Sequence, residues 1–319
     1  MGGLVVQIVT PAARRSRKGN RVTALRWARL LRASGHRVRV RTELDAAPCD
    51  LLIVLHAVHG RAAVRRWLEL GKPAPLVIGL SGTDVYGDDG DLDPELYAPA
   101  DRIVALQPLA AEQLPPVLRA RTRTILQSAA PLADPPPPRE DVFEVVCVAH
   151  LRDVKDPFLP ARAAARLPAS SRVEVVHVGA ALDASLAKRA DAETRANARW
   201  TWLGPVPRSE VLELVARAQV FVQSSRHEGG ANALSEALAQ GTPVLATRVP
   251  GNVGVLGEDH PGLYRAGDER DLARLLERCE QEPNFLDDLR DRSRNLARSL
   301  DPERERAAWA ALVAELTSR

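Results

Sequence analysis

Short apolar runs alternate with stretches of helical periodicity along almost the whole chain. Buried parallel strands appear as continuous apolar runs, whereas the helices between them place apolar residues three and four positions apart. Repeated alternation of the two patterns is typical of parallel sheets that are crossed by helices. The sequence therefore predicts an α/β fold built from doubly wound, Rossmann-like domains.

The first half of the chain alternates predicted strands and helices and then runs into a proline-rich stretch. The predicted strands are Leu4–Val9, Val38–Arg41, Leu51–Leu55, Leu76–Leu80, Arg102–Leu106 and Thr124–Gln127. The predicted helices are Arg21–Ala33, Arg61–Leu70 and Leu109–Leu118. Residues 131–138 read Pro-Leu-Ala-Asp-Pro-Pro-Pro-Pro, which favours a stiff extended chain and excludes a helix. We therefore predict a domain linker at residues 131–140.

The second half of the chain repeats the pattern. Its predicted strands are Phe143–Val148, Arg172–Val178, Trp200–Leu203, Val220–Gln223, Pro243–Ala246 and Gly262–Tyr264. Its predicted helices are Arg208–Ala218, Asn232–Gln240 and a helical tail from Asp268, with a break at Asp301-Pro302 before a last helix at Glu303–Leu316. We predict domains at residues 1–130 and 141–300, and a C-terminal helix within 301–319 that could pack back on the first domain. Ligands of such sheets bind at the carboxyl ends of the strands, so we expect the site in a cleft between the domains.

Composition narrows the class of protein. The chain has 319 residues, of which 45% are hydrophobic and 27% are charged, as expected for a globular protein of two domains. Its net charge of +3 results from 44 basic and 41 acidic residues. This near-balance argues against a protein that binds nucleic acid through bulk charge, but it permits a local site for an anion.

Cysteine usage and the absence of long apolar stretches indicate where the protein works. Cys49, Cys147 and Cys279 are far apart and lack the spacing of a metal site, which fits a reducing cytoplasm. No stretch approaches the ~20 apolar residues that span a bilayer, and no export signal is visible. We expect a cytoplasmic protein without a membrane span, and nothing in the sequence indicates an obligate protein partner.

The most informative segment contains two carboxylates, Glu228 and Glu236, where a predicted buried strand leads into a loop and then a helix. Glu236 should lie close to the loop because a helix rises only ~1.5 Å per residue. The residues that could present free backbone N–H groups between them are Gly229, Gly230, Ala231 and Asn232. The start of a helix favours an anion, so this segment could bind a phosphate beside two acceptors for sugar hydroxyls. The alternative is a glycine-eased turn followed by an ordinary solvent-facing glutamate.

A charged loop, Ala149–Pro157, follows the first strand of the second domain. Arg152 and Lys155 could both reach the cleft and neutralise a diphosphate leaving group. The alternative is internal pairing of the charges in this loop, either Arg152 with Asp153 or Lys155 with Asp156.

A basic loop lies between the first strand and the first helix and includes Lys18, Gly19, Asn20 and Arg21. Gly19 permits close approach of the backbone to a ligand, and Asn20 is a good N-cap residue for the helix. A small, multiply charged anion could bind here, whereas the alternative is a disordered basic loop.

Three further strand ends carry polar groups. Thr83 and Asp84 follow the strand Leu76–Leu80 and could line the opposite wall of the cleft or cap a helix. His56 ends the third strand, where a single histidine is more often part of the scaffold than an acid–base catalyst. Residues 249–254 supply two glycines and an asparagine that could face the cleft or form a plain turn. The chain contains no phosphate-binding loop of the G-x-x-x-x-G-K-[ST] type, no zinc spacing and no G-x-S-x-G nucleophile turn.

Taken together, these motifs resemble those of the family 4 glycosyltransferases, which have the GT-B fold. The resemblance spans essentially the whole chain and includes the Glu228/Glu236 pair, the Gly-Thr-Pro-Val stretch after it, Gly35-His36 and Lys155. It implies that Glu236 holds the nucleotide ribose and that Glu228, with the amides of residues 229–232, contacts the donor sugar. It also implies that Lys155 neutralises the diphosphate and that neither a divalent metal nor another cofactor is needed.

Some positions depart from the family pattern. His150 stands where the family usually has the diphosphate arginine, so Arg152 could take over that role, or the site could be weaker. Gly19-Asn20 replaces the usual glycine pair of the first domain. With these departures the chain is similar to the selenosugar synthases of selenoneine biosynthesis, which join selenophosphate to the sugar of a UDP-sugar through a C–Se bond.

This narrower resemblance implies a donor such as UDP-GlcNAc or UDP-glucose and selenophosphate as the acceptor. Selenophosphate is small, anionic and already nucleophilic, so it needs cations and helix N–H groups more than a strong base. The residues that would bind it are Lys18, Gly19, Asn20, Arg21, Thr83 and Asp84. Two other functions stay open: transfer to a hydroxyl acceptor, such as a sugar, inositol or lipid-linked glycan, and a non-catalytic module that binds a nucleotide-sugar.

Overall fold

The computed structural model describes residues 3–14, 16, 19–45, 47–86 and 94–317, with only the backbone described at Thr83, Asp84 and Pro94. Within these ranges the chain forms two six-stranded sheets in which all paired strands are parallel. The predicted α/β fold is therefore confirmed. The chain divides into two compact units: Met1–Ser128 with Glu228–Asn232 and Leu300–Arg319, and Ala129–His227 with Ala233–Ser299.

The first unit contains the first sheet. Its strands are β1 Val5–Val9, β2 Arg37–Arg41, β3 Leu51–Leu55, β4 Leu76–Gly79, β5 Arg102–Ala105 and β6 Thr122–Thr124. They lie in the order β2-β1-β3-β4-β5-β6, so β1 is hydrogen-bonded on both sides. The helices between them are α1 Gly19–Ala33, α2 Ala57–Glu69, α3 Gly82–Tyr86, α4 Pro108–Glu112 and α5 Pro116–Arg119. This order places the ends of β1, β3 and β4 side by side at one edge, as in a doubly wound domain.

The second unit contains the second sheet. Its strands are β7 Phe143–Val148, β8 Val173–Val178, β9 Trp200–Gly204, β10 Val220–Gln223, β11 Val244–Thr247 and β12 Leu263–Tyr264, in the order β12-β11-β10-β7-β8-β9. Its helices are α6 Leu159–Ala164, α7 Ala184–Ala196, α8 Arg208–Arg217, α9 Asn232–Ala239, α10 Pro250–Leu256, α11 Glu269–Gln281 and α12 Pro283–Ala297. β7 and β10 are neighbours at the centre, so the loops that follow them start side by side.

The last helix, α13 Pro302–Thr317, belongs to the first unit. Trp309 of α13 and Trp27 of α1 are fully buried, and their ring centroids are 4.7 Å apart. Glu315 accepts hydrogen bonds from Arg102 and Arg123 at the edge of the sheet. The aromatic contact holds α13 against α1, and the two ion pairs hold it against β5 and β6. In the part of the chain that the structure describes, no helix is long and apolar enough to cross a membrane.

Two predicted elements of the first unit are wrong, and α2 begins at Ala57, four residues before the predicted start at Arg61. The single helix predicted at Leu109–Leu118 is wrong, because α4 ends at Glu112 and α5 starts at Pro116. The proline pair at residues 115 and 116 cannot donate the backbone hydrogen bonds of a continuous helix. The strand predicted at Thr124–Gln127 is also wrong, because β6 covers Thr122–Thr124. Beyond it, the backbone N–H of Ile125 still donates to the carbonyl oxygen of Ala105 in β5, at 2.9 Å.

Candidate functional site

The loop that follows β7 is held at its start by two residues of the second unit. His177 of β8 is fully buried, and its Nε2 donates to the carbonyl oxygen of Ala149 at 3.0 Å. Burial lowers the pKa of His177 to about 4, so the ring is neutral near pH 7. At Gly179, where φ is +150°, a Cβ atom would lie 2.0 Å from the same carbonyl oxygen. A side chain at this position would displace the loop, so the backbone here requires glycine.

His150, the next residue of the loop, is half-buried. Its Nδ1 accepts a hydrogen bond from the backbone N–H of Ala180 at 3.1 Å. The neutral ring must therefore carry its proton on Nε2, which makes that atom a hydrogen-bond donor. A neutral donor can bind a phosphate oxygen, but it neutralises less charge than the arginine that the family usually has at this position.

The two cations predicted to act on the diphosphate, Arg152 and Lys155, lie on the same loop, with Arg152 exposed and Lys155 half-buried. Residues 153–155 form a 3₁₀ turn, and Asp156 follows it with a φ of 38°. The buried carboxylate of Asp156 accepts from Arg162 at 3.3 Å and from Arg226 at 3.2 Å. These two arginines account for both carboxylate oxygens of Asp156.

Glu236 is the fifth of the eight residues of α9 and is almost fully buried. Its Oε1 accepts two hydrogen bonds from Arg208, one from Nε at 3.2 Å and one from Nη2 at 2.6 Å. Arg208 is the first residue of α8, and its side chain is 62% exposed. The arginine thus fixes the orientation of the carboxylate that the sequence predicts to bind the ribose.

The other carboxylate, Glu228, is buried in the segment Glu228–Asn232, which belongs to the first unit. A Cβ atom at Gly229 would lie 2.4 Å from the backbone nitrogen of Gly82. The carbonyl oxygen of Gly230 accepts a hydrogen bond from Nε2 of Gln127, and Gly230 has a φ of +155°. Both glycines are therefore required by the close packing of this segment.

Asn232 is the first residue of α9 and also the last residue of the segment Glu228–Asn232 that belongs to the first unit. Within that unit it contacts a buried polar cluster. Its Oδ1 accepts from Arg26 at 2.5 Å, and its Nδ2 donates to Oγ1 of Thr23 at 3.4 Å. Nε of Arg26 lies 3.1 Å from Oε2 of Glu305 in α13. Five buried residues of the first unit are joined by these and further hydrogen bonds, and we call them the Arg26 cluster: Thr23, Arg26, Gln127, Ser128 and Glu305. The side chain of Asn232 is thus oriented by residues far away in sequence.

The predicted anion site of the first unit is described in part. Lys18 lies outside the described residues. Gly19 and Asn20 are the first two residues of α1, so the prediction that Asn20 caps this helix is wrong. Arg21 is only 8% exposed, and its Nε has no hydrogen-bond partner in the described part of the chain. A buried guanidinium in the first turn of a helix favours a bound anion, because the helix dipole is positive at that end.

The polar residues that follow β3 and β4 occupy different positions relative to the next helix. His56, with a φ of 73°, caps α2 by accepting a hydrogen bond from the backbone N–H of His59 at Nδ1. Burial lowers the pKa of His56 to about 4. Thr83 and Asp84 lie within α3, and their side chains are outside the described part of the structure.

The segment 249–254 was expected to be a loop or turn, and this expectation is wrong. The segment lies mostly in α10, which starts at Pro250, a residue well suited to the first position of a helix. Asn252 is fully buried, and its Nδ2 donates to both O and Oγ1 of Thr247 at 3.0 Å. Nδ2 of Asn252 therefore holds the end of β11, while its Oδ1 has no hydrogen-bond partner among the described residues.

Sequence reasoning missed two sets of residues. Arg208 was visible only as the start of a predicted helix, and nothing local indicated that it pairs with Glu236. The contact between Arg26 and Glu305 joins residues 279 positions apart, so no local pattern could reveal it. Among the described residues, no group of three or more His, Cys, Asp or Glu side chains could hold a metal ion. That the reaction needs no metal stays a prediction.

Comparison with solved structures identifies the fold. HepE from Anabaena, in complex with UDP and glucose, superposes with a TM-score of 0.80 at 15% identity, covering 98% of this chain and 100% of that one. Sucrose-phosphate synthase from Thermosynechococcus elongatus gives a TM-score of 0.79 at 17% identity, covering 98% and 99%. A glycosyltransferase from Rickettsia africae gives 0.79 at 11%, covering 99% and 98%. The architecture is that of the GT-B glycosyltransferases.

A family model supplies the class of protein. The model described as glycosyl transferases group 1 matches residues 132–296, more than half of the 319-residue chain. The matched region includes the β7 loop, the Glu228/Glu236 pair and Arg208. The chain therefore belongs to the glycosyl transferases group 1. It is a glycosyltransferase.

Proposed function

We propose that this glycosyltransferase uses a UDP-sugar, such as UDP-GlcNAc or UDP-glucose, as its donor. Solved structures of the same fold contain UDP with glucose, or UDP-glucose, in HepE of Anabaena. In this chain the carboxylate of Glu236, oriented by Arg208, is suited to accept hydrogen bonds from the two ribose hydroxyls. Glu228 and the amides of Gly229, Gly230, Ala231 and Asn232 are assigned to the donor sugar by the family resemblance.

The cations of the β7 loop are assigned to the leaving diphosphate. Lys155 and Arg152 would stabilise the negative charge that develops on UDP as its bond to the anomeric carbon breaks. His150 would donate a hydrogen bond from Nε2, since its Nδ1 is occupied by the N–H of Ala180. In this arrangement the protein itself compensates the charge of the diphosphate.

We further propose that the acceptor is selenophosphate, bound by Lys18, Gly19, Asn20 and Arg21, with Thr83 and Asp84 on the opposite side. The observation that supports an anionic acceptor is the state of Arg21, which is 8% exposed and has an unpaired Nε within the described structure. The first turn of α1 contains no acidic residue to compensate this charge. A phosphoryl group would supply the missing acceptors and the missing negative charge.

The proposed reaction consists of a displacement at the anomeric carbon followed by hydrolysis of the P–Se bond. A lone pair of selenium forms the C–Se bond at the anomeric carbon, while the C–O bond to UDP breaks and UDP leaves with the electron pair. Water then cleaves the P–Se bond, which gives the selenosugar and phosphate. The fixed positions of the two substrates and the cations around the diphosphate would provide most of the rate enhancement.

Transfer to a hydroxyl acceptor is the alternative, and for a lipid-linked acceptor the surface of α1 is the relevant feature. Such an acceptor would favour an exposed face that combines apolar and basic residues. Arg26, Trp27 and Leu30 of this helix are buried. Leu25, Arg29 and Arg32, however, are exposed, and their spacing of four and three positions places them on one side of α1. The surface of α1 is therefore compatible with this alternative. The three free cysteines also support a reducing cytoplasm as the place of reaction.

A single assay tests the donor and the acceptor together. The protein is incubated with UDP-GlcNAc or UDP-glucose, with and without selenophosphate, and both UDP release and selenium-containing sugar are measured by mass spectrometry. We expect UDP release that depends on selenophosphate and a product with a C–Se bond. Transfer to an alcohol without selenium in the product would contradict the acceptor. Binding of UDP without any turnover would indicate the non-catalytic module.

Three variants test the residue assignments. Glu236→Ala should mainly raise the donor KM, and Lys155→Ala should mainly lower kcat. Arg21→Met should raise the KM for selenophosphate by about tenfold or more and leave the donor KM unchanged, because a charge-assisted hydrogen bond is lost. Arg29→Met is the matched control, since Arg29 is exposed on the same helix. Equal effects of the two arginine variants would refute the role of Arg21.

A further inference from the structure

Two residues just after β10 bind the turn that contains Lys155, and all of them lie in the second unit. Oγ of the buried Ser224 donates to the carbonyl oxygen of Lys155 at 2.8 Å. The backbone N–H of Arg226 donates to the carbonyl oxygen of Val154 at 2.8 Å. Nη2 of Arg226 also donates to the carboxylate of Asp156 at 3.2 Å. Three consecutive residues of the turn are therefore held from the end of β10.

The turn has a conformation that needs such support. Asp156 has a φ of 38° and a ψ of 59°, the left-handed region that is strained for most residues other than glycine. Its buried carboxylate is held on one oxygen by Arg226 and on the other by Arg162. The left-handed residue directs the chain from the turn into the buried segment before α6. Removing its contacts would allow the turn to relax.

The end of β10 and the residues after it make several buried hydrogen bonds of their own. The carbonyl oxygen of Gln223 accepts from the hydroxyl of Tyr264 at 3.0 Å, and its side chain donates to Oγ of Ser225 at 2.9 Å. Thr247 donates through Oγ1 to the carbonyl oxygen of Ser225 at 2.5 Å. We call this set the neutral chain, and its members are Gln223, Ser225, Thr247, Asn252 and Tyr264, all buried. Ser224 stands between Gln223 and Ser225 in the sequence, so the hydrogen bonds of these two neighbours fix the backbone that carries its hydroxyl group.

We propose that Ser224 is a positioning residue for Lys155, assisted by the pair of Arg226 and Asp156. The proposal rests on the proposed function, in which Lys155 compensates the charge of the departing diphosphate. Lysine has a long and flexible side chain, so the position of its ammonium group depends on a fixed backbone. The hydrogen bond from Ser224 fixes that backbone at Lys155 itself. Loss of the bond should reduce transition-state stabilisation more than binding of the donor.

The first experiment compares Ser224→Ala with Ser299→Ala in the assay of UDP release. Ser299 is a matched control because its Oγ also donates to a backbone carbonyl, that of Leu296 at 2.6 Å, within the same unit. Ser224→Ala should lower kcat about tenfold or more and change the donor KM less than about threefold, because small misplacements of a catalytic group are costly. Ser299→Ala should retain the wild-type kcat. Asp156→Asn, which tolerates the left-handed conformation but removes the charge, should lower kcat in the same way.

A double-mutant cycle with Lys155→Ala separates positioning from general loosening of the fold. If Ser224 acts through Lys155, Ser224→Ala should have almost no further effect on kcat once Lys155 is alanine. Independent effects of the two substitutions, or a wild-type kcat for Ser224→Ala, would overturn the proposal while leaving the role of Lys155 intact. A wild-type kcat for Lys155→Ala, or a wild-type protein that releases no UDP from any UDP-sugar, would overturn this proposal together with the proposed function. Thermal unfolding confirms that each variant is folded, and Asp156→Asn provides the second measurement if Ser224→Ala is not.

Discussion

The Arg26 cluster and the neutral chain both provide hydrogen-bond partners for buried polar side chains, but they do so with different chemical groups. Both bury polar side chains, the first in the first unit and the second at the carboxyl end of the second sheet. The Arg26 cluster has an ion pair at its centre, between Arg26 and Glu305. The neutral chain consists only of hydroxyl, amide and carbonyl groups that hydrogen-bond to one another.

The presence or absence of charge determines how much stability is lost when a contact is removed. Glu305 accepts from Arg26 and also from the backbone N–H of Ser128, at 2.7 Å. Removing this carboxylate would leave a buried guanidinium without its counter-charge, whereas removing one member of the neutral chain leaves only unpaired dipoles. The charged cluster also joins α1 to α13, so its loss would affect the packing of the end of the chain. The predictions below test this contrast.

The largest effect is expected from Glu305→Ala. This substitution should lower the free energy of unfolding by about 3–5 kcal/mol, since it removes the carboxylate that balances the charge of the buried Arg26. Chemical denaturation followed by circular dichroism measures the loss. Glu303→Ala is the control on the same helix, because the pair of Glu303 and Arg306 is exposed and should contribute less than about 1 kcal/mol. Similar losses for the two variants would contradict the ranking.

Protonation of His177 should place a positive charge in the buried interior of the second unit. Its pKa is about 4 in the folded protein because of burial, against 6.5 for an exposed histidine, and its Nδ1 has no partner among the described residues. The unfolded state therefore binds the proton first, so stability is fully present above pH 6.5 and falls as the pH decreases towards 4. The loss should be about 3 kcal/mol for this residue.

The variant His177→Phe isolates this contribution. His56 and His260 also have pKa values lowered to about 4, so the wild-type protein should lose stability through all three histidines. The variant should show a shallower loss between pH 6.5 and 4 in denaturation experiments at several pH values. It should also be less stable at pH 7, because the hydrogen bond to Ala149 is gone. An unchanged slope would rule out the proposed titration of His177.

A smaller effect is expected from Asn252→Ala, which breaks the neutral chain. The carbonyl and hydroxyl oxygens of Thr247 would each lose a hydrogen bond, at a cost of about 1–3 kcal/mol. Denaturation of this variant should show a loss below that of Glu305→Ala, and Asn295→Ala, an exposed position in α12, serves as the control. A loss equal to that of Glu305→Ala would show that charge is not the deciding factor.

The smallest effect on stability is expected from Arg208→Ala. The side chain of Arg208 is 62% exposed, so its pair with Glu236 should contribute less than about 1 kcal/mol to folding. The same substitution should raise the donor KM, because it frees the carboxylate assigned to the ribose. Titration calorimetry with UDP and steady-state kinetics measure this second effect. Unchanged affinity for UDP would remove Arg208 from the donor site.

The elements that were predicted well are those with strong local signals. The strands at Leu51–Leu55, Phe143–Val148 and Val220–Gln223 have the predicted bounds, because each is an apolar run between polar or helix-forming segments. The prediction of one helix at Leu109–Leu118 was wrong because the proline pair at residues 115 and 116 interrupts the backbone hydrogen bonds of a continuous helix. α10 was missed because a glycine-rich segment of this length also suits a turn.

The candidate site was predictable as a set of loops but not as a set of contacts. The Glu228/Glu236 pair and the loop with Lys155 were recognised from their places after predicted strands. Their supporting contacts, such as Ser224 with Lys155 and Arg208 with Glu236, join residues 69 and 28 positions apart. Contacts between residues this far apart in the sequence follow no periodic pattern, so the partner of a given residue could not be predicted.

The sequence by itself determined the fold class and the motifs that indicate a glycosyltransferase, because hydrophobic periodicity and short motifs are local properties of the chain. The tertiary structure decided which polar residues are buried and which groups satisfy them. It alone pairs Arg26 with Glu305, caps α2 with His56 and leaves Nε of Arg21 unpaired within the described residues. The physical reason is that the cost of burying a charge depends on neighbours that only the folded chain brings together.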